Sequence, residues 1–133
     1  MLERAYTASI RGKMHKQNKL PNQDYSLVDN CKHYTLAVVC DGLGSKKYSH
    51  FASRKLCKIV KKVVKNRFKK NNLLPYETLE SIQSQYRKKL WPFNLNNSDT
   101  TCLFAIISCK NILLFQLGDG LAAISGKDLI TVD

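Results

Sequence analysis

Thr35-Leu36-Ala37-Val38-Val39-Cys40-Asp41-Gly42-Leu43-Gly44-Ser45 carries the first decision about this chain. A short apolar run, Leu36 to Cys40, is closed by an acid, two glycines and a serine. Such a run bounded by turn residues predicts a buried strand. Asp41 then stands at its end, at the lip of the core. Two readings follow. One is an ordinary Asp-Gly turn after a strand. The other is a site for a hard cation: a carboxylate and an uncovered carbonyl on a rigid strand suit Mg²⁺ or Mn²⁺. The stretch alone leaves both open.

Downstream the period changes from two to that of a helix. Phe51, Ala52, Leu56, Ile59, Val60, Val63, Val64 and Phe68 form an apolar stripe, predicting a helix over 48–70. Asn71, Asn72 and Pro75 stop it, and Leu79, Ile82, Tyr86 and Leu90 predict a second helix over 76–90. Glu77 and Glu80 begin that helix and Arg87, Lys88 and Lys89 end it, as the helix dipole prefers. The short link makes the two an antiparallel pair. Upstream, 5–11 reads as a first strand, 12–22 as a loop and 23–28 as a second strand, with a turn at Asp29-Asn30. After a loop over 91–98, 100–108 and 112–117 read as a hairpin about Lys110-Asn111, followed by strands over 121–124 and 129–132. Strands, a helix pair, then strands again predict an α+β fold: antiparallel sheet flanked by the helices.

The length, 133 residues, fits a single domain spanning 1–133. No apolar run approaches the roughly 18 residues of a membrane span, and 1–4 lack a signal-peptide core. Five cysteines without a Cys-x-x-Cys pair argue against zinc and redox motifs and for a reducing, cytoplasmic setting. The net charge of +12 favours polyanions as partners. It is concentrated: 46–70 holds 11 of the 22 cations, and 42–76 holds no acid. A solvated helix face explains that arrangement, and so does binding to nucleic acid or another acidic surface.

Gly118-Asp119-Gly120 is a second acid-glycine site ending an apolar strand, and Asp24 stands near the start of another. In order along the chain come Gly12, His15 and Pro21-Asn22-Gln23-Asp24, then Val39-Cys40-Asp41-Gly42-Leu43-Gly44-Ser45, then Ser98-Asp99-Thr100-Thr101, then Leu117-Gly118-Asp119-Gly120. This series resembles the metal-dependent serine/threonine protein phosphatases of type 2C, in a bacterial-like subgroup, over about residues 12–124.

The resemblance implies a β-sandwich of two antiparallel sheets with helices outside. It implies two Mn²⁺ or Mg²⁺ at one end, whose hydroxide attacks phosphoserine or phosphothreonine of a phosphoprotein. Asp41 would bridge the metals, Gly42 would lend its carbonyl, Asp24 would bind metal waters, and Asp119 would serve a third, weaker metal. Arg11 or His15 would hold the phosphate, and His15 would protonate the leaving group. Thr100 and Thr101 would support the backbone. One departure stands out. The family's further aspartates lie beyond the Gly-Asp-Gly site, and Asp128 and Asp133 lack their motif context. The resemblance therefore covers the family's N-terminal part, and the fold reads as incomplete at its C-terminus. Weak activity, a catalytically dead phosphoprotein-binding relative, and a polyanion-binding module built on 46–70 are the alternatives.

Overall fold

The computed structural model describes residues 4–90, 95–120, 122–124 and 130–132. Four strands form one antiparallel sheet in the order β1-β2-β3-β4: β1 (Tyr25–Asn30), β2 (Tyr34–Cys40), β3 (Cys102–Ser108) and β4 (Ile112–Leu117). Tyr25 pairs with Cys40, Val39 with Leu103, and Cys102 with Leu117. These pairings align the start of β1, the end of β2, the start of β3 and the end of β4 along one edge. β5 (Ala122–Ile124) and β6 (Ile130–Val132) form a separate antiparallel pair. The predicted turn between them, and 91–94 of the predicted loop, lie outside the described residues.

One face of the sheet is closed by α2 (Ser49–Lys69), which packs on β1, β2 and β3. Alternation along the strands turns Leu36, Val38 and Cys40 inward with Cys102, Phe104, Ile106 and Phe115. Leu56, Val60, Val63 and Val64 of α2 meet them in one core. Phe104 and Phe115 stack with ring centroids 4.4 Å apart. The opposite face is apolar too, but more open: Val39 is 52% exposed and Leu103, Ala105 and Ile107 are half-buried.

α3 (Pro75–Lys89) packs against α2, burying Thr78 and Ile82. Arg67, near the end of α2, lies 3.6 Å from Glu77 at the start of α3, and Lys89 ends beside Lys62 and Lys55. The two helices are therefore antiparallel.

Three local predictions are corrected. Residues 5–11 form no strand. Their polar contacts go instead to side chains: the Ala5 amide donates to Asn30 Oδ1 at 3.1 Å, and Asn22 Nδ2 donates to Ser9 Oγ at 2.8 Å. The loop at 12–22 contains a single-turn helix, α1 (Lys13–Gln17), with no buried residue. Asp29 and Asn30 are not a turn but the end of β1, where Asn30 faces Thr35; the Cys31 amide closes the hairpin on the Tyr34 carbonyl at 2.9 Å.

Candidate metal and phosphate site

Asp24 immediately precedes β1 and Asp41 immediately follows β2, so the Tyr25–Cys40 pairing sets the two acids side by side. Both side chains line one cavity. Hydrogen bonding with the Asp24 carboxyl, some burial and the Asp24 charge raise the Asp41 pKa above the ordinary carboxylate value. Like charges this close resist full ionisation unless a cation sits between them or beside them.

The backbone that holds the pair is tightly fixed. The Asp41 carbonyl accepts from the Thr101 amide at 2.9 Å and from Thr100 Oγ1 at 3.0 Å. The Leu43 amide donates to the Asp99 carbonyl at 3.0 Å. Gly42 and Thr100 thus form a bridge whose hydrogen bonds come from the flanking residues, leaving the Gly42 carbonyl outside that pairing. Gly42 is also sterically obligatory. A Cβ there would lie 2.4 Å from the Gln23 carbonyl oxygen and 3.0 Å from that of Ser49.

A polar seam on the inner side of α2 completes the frame. Ser49 Oγ donates to the Leu43 carbonyl at 2.8 Å, Ser53 Oγ to the Gln23 carbonyl at 2.6 Å, and Cys57 Sγ to the Tyr25 carbonyl at 3.5 Å. Spaced four apart, they lie above one another on the helix. Each ties α2 to a segment carrying an acid. Buried Gln23 reaches toward the carbonyls of Gly44 and Lys46, both at 3.4 Å.

Asp24 and Asp41 open into a cavity of about 380 Å³, with Thr7, Ser9, Ile10 and Ser26 in its walls. A neighbouring cavity of about 340 Å³ shares Asp24 and adds His50 and Arg54. Burial, then the Arg54 charge, lowers the His50 pKa, and its Nδ1 is buried without a hydrogen-bond partner. Arg54 lies over the Tyr25 ring, 5.5 Å from its centroid. Neither residue is marked by a motif; two basic residues four apart at the start of α2, soon after the glycines, are the available signal.

The other expected residues stand apart. Asp119 is exposed in the turn after β4, between Gly118 and Gly120, both at positive φ. It shares the sheet edge, but β4 lies two strands from β2, about 10 Å at ordinary strand spacing. Among the described residues no three His, Cys, Asp or Glu side chains cluster in a way that could hold a metal ion. His15 is half-buried on α1 and Arg11 is exposed, and neither lines the cavity of the acid pair.

The family model described as protein phosphatase 2C matches residues 11–132. The chain belongs to the protein phosphatase 2C family. Searches of curated proteins and of solved structures find no match. Family membership assigns a phosphatase-like function and a phosphoprotein as the class of substrate. An α+β fold with a four-stranded antiparallel sheet and helices is compatible with that family. Among the described residues no helix is long and apolar enough to cross a membrane.

The donor set fits a divalent metal in kind. Two carboxylates in contact and a carbonyl outside the ladder are hard oxygen donors of the sort that Mg²⁺ and Mn²⁺ prefer. It is thin in number.

Proposed function

We propose that this chain, as one phosphatase-like domain over 1–133, hydrolyses phosphoserine and phosphothreonine in proteins at the edge where Asp24 and Asp41 meet. The observation that carries this reading is the juxtaposition of those two acids at one cavity by the Tyr25–Cys40 pairing, on a backbone fixed by Thr100, Thr101 and Gly42. Asp41, Asp24 and the Gly42 carbonyl would hold the divalent cation. Bound there, Mn²⁺ or Mg²⁺ supplies a water of lowered pKa and offsets charge on the phosphoryl oxygens.

The chain's own residues would do the rest. Thr7, Ser9 and Ser26 offer hydroxyl donors along the cavity wall. Arg11 and His15, on the segment following Ile10, would bind the phosphate, with His15 giving a proton to the departing serine or threonine oxygen. Asp119 would add a carboxylate for a further cation from the same edge. The half-exposed apolar face of the sheet supports the two-sheet sandwich of the family, with a second layer covering Val39 and Leu103. Unpaired thiols at all five cysteines agree with a reducing, cytoplasmic setting.

With so few protein ligands among the described residues, a bound cation and substrate would be loosely positioned, and loose positioning costs orders of magnitude in rate. The expected result with an aryl phosphate or a phosphopeptide is slow turnover that requires Mn²⁺, ends in chelator and is lost in Asp41→Asn. Turnover that persists in excess chelator would refute this reading. Phosphopeptide binding without turnover would mark a phosphoprotein-binding relative.

A further inference from the structure

The antiparallel packing of α2 and α3 gathers lysines on the side of α2 away from the sheet. Lys55, Lys58, Lys62, Lys65 and Lys69 recur at steps of three and four, opposite the buried stripe of Leu56, Val60, Val63 and Val64. At about 1.5 Å per residue the row runs roughly 21 Å. Lys89 comes in from the end of α3 to meet Lys62 and Lys55. All are exposed except half-buried Lys55. The ion pairs of the helices use other cations: Lys61 pairs with Asp29 at 3.8 Å and Arg67 with Glu77 at 3.6 Å. Among the described residues none of the six lysines has an acidic partner within salt-bridge distance. The Lys62 charge, above all, lowers the Lys89 pKa.

A row of like charges with no counter-charge repels itself and attracts a matching anionic rod. We propose that this row binds the phosphate backbone of a nucleic-acid duplex without regard to base sequence. Three features select that partner. The residues are lysines, point charges that bind phosphates without the fixed geometry of an arginine fork, which suits backbone contacts that read no base sequence. The apolar side of α2 is spent on the sheet, so no face remains to enter a bilayer. Phe51, 42% exposed, is the one large apolar side chain on this side of α2, too few to stack single-stranded bases or anchor a protein partner. The surface is independent of the phosphatase site.

The test is fluorescence anisotropy of a labelled duplex DNA with the full chain over a series of salt concentrations. Wild type should bind at low salt, with log K falling steeply against log salt, by about 0.9 per phosphate contacted. Lys62→Gln with Lys89→Gln should flatten that slope by about 2 and weaken binding. Lys58→Gln with Lys65→Gln should act alike, so the result does not hang on one folded variant. Lys13→Gln with Lys16→Gln removes the same charge from α1 and should bind nearly as wild type does. The proposal is overturned if the duplex does not bind at low salt, if all three double variants weaken it equally, or if vesicles containing phosphatidylserine bind more tightly than the duplex.

Discussion

Like charges are crowded in two places in this molecule, and the two crowds are built differently. At the sheet edge, Asp24 and Asp41 are short side chains on a backbone pinned by Thr100, Thr101, Gly42, Ser49 and Ser53. Their backbones are fixed side by side, and hydrogen bonding with Asp24, some burial and the Asp24 charge raise the proton affinity of Asp41. On the helix pair, Lys62 and Lys89, beside half-buried Lys55, carry their charges on long exposed stems that can spread into water. The rigid crowd suits a small ion held at fixed distances; the soft crowd suits an extended polyanion. Rigidity here comes from buried polar contacts between helix and strand ends.

The contrast can be broken from the core side first. Val63, 2% exposed, faces the sheet from the same helix that carries the lysines. Val63→Asp should destabilise the fold by about 3–5 kcal/mol in urea denaturation, because it buries an unpaired charge. Next comes the backbone at the acid pair. Gly42→Ala forces a Cβ against two carbonyl oxygens and should cost about 1–3 kcal/mol. It should also loosen the Asp24–Asp41 contact, lowering the raised Asp41 pKa in a carboxyl NMR titration.

A smaller effect sharpens the comparison. Because the folded state holds the Asp41 proton more tightly, that stability is present at low pH and lost as pH rises through the raised pKa. In chelator near neutral pH, Asp41→Asn should therefore melt slightly higher than wild type, the gain being small because the exposed pair is screened by water. The difference should shrink in acid, where wild type is itself protonated. A variant that melts lower than wild type in chelator at neutral pH would show that the pair is not strained. Smallest of all, Lys62→Gln should change stability by under about 0.5 kcal/mol, in the stabilising direction and less so in salt.

The regular elements were legible because their periods were strong. β2 and β4 fall where the apolar runs put them, and α2 and α3 begin and end within a residue of the expected bounds. The segment 5–11 misled because its β-formers carry hydroxyls and its contacts to β1 are made through side chains, which composition does not reveal. α1 has no buried face, so it left no periodic trace. Asp41 could be read from its place at a strand end. Its contact with Asp24 depends on the Tyr25–Cys40 register, a long-range fact that local pattern does not contain. Ser49 and Ser53 were visible as polar interruptions of an apolar stripe, and such interruptions point to carbonyls waiting on the facing segment. Lys61 looks like its neighbours in sequence; only the fold shows that it alone of that run reaches Asp29.

Everything proposed for the sheet edge rests on the Asp24–Asp41 pair accepting a divalent cation, and calorimetric titration with Mn²⁺ near neutral pH reads that without any substrate. Wild type should bind with modest affinity, Asp24→Asn more weakly, and Asp41→Asn not measurably, while the Lys62→Gln variant should bind as wild type does. Equal heats from wild type and Asp41→Asn, or none from wild type at millimolar Mn²⁺, would contradict the account.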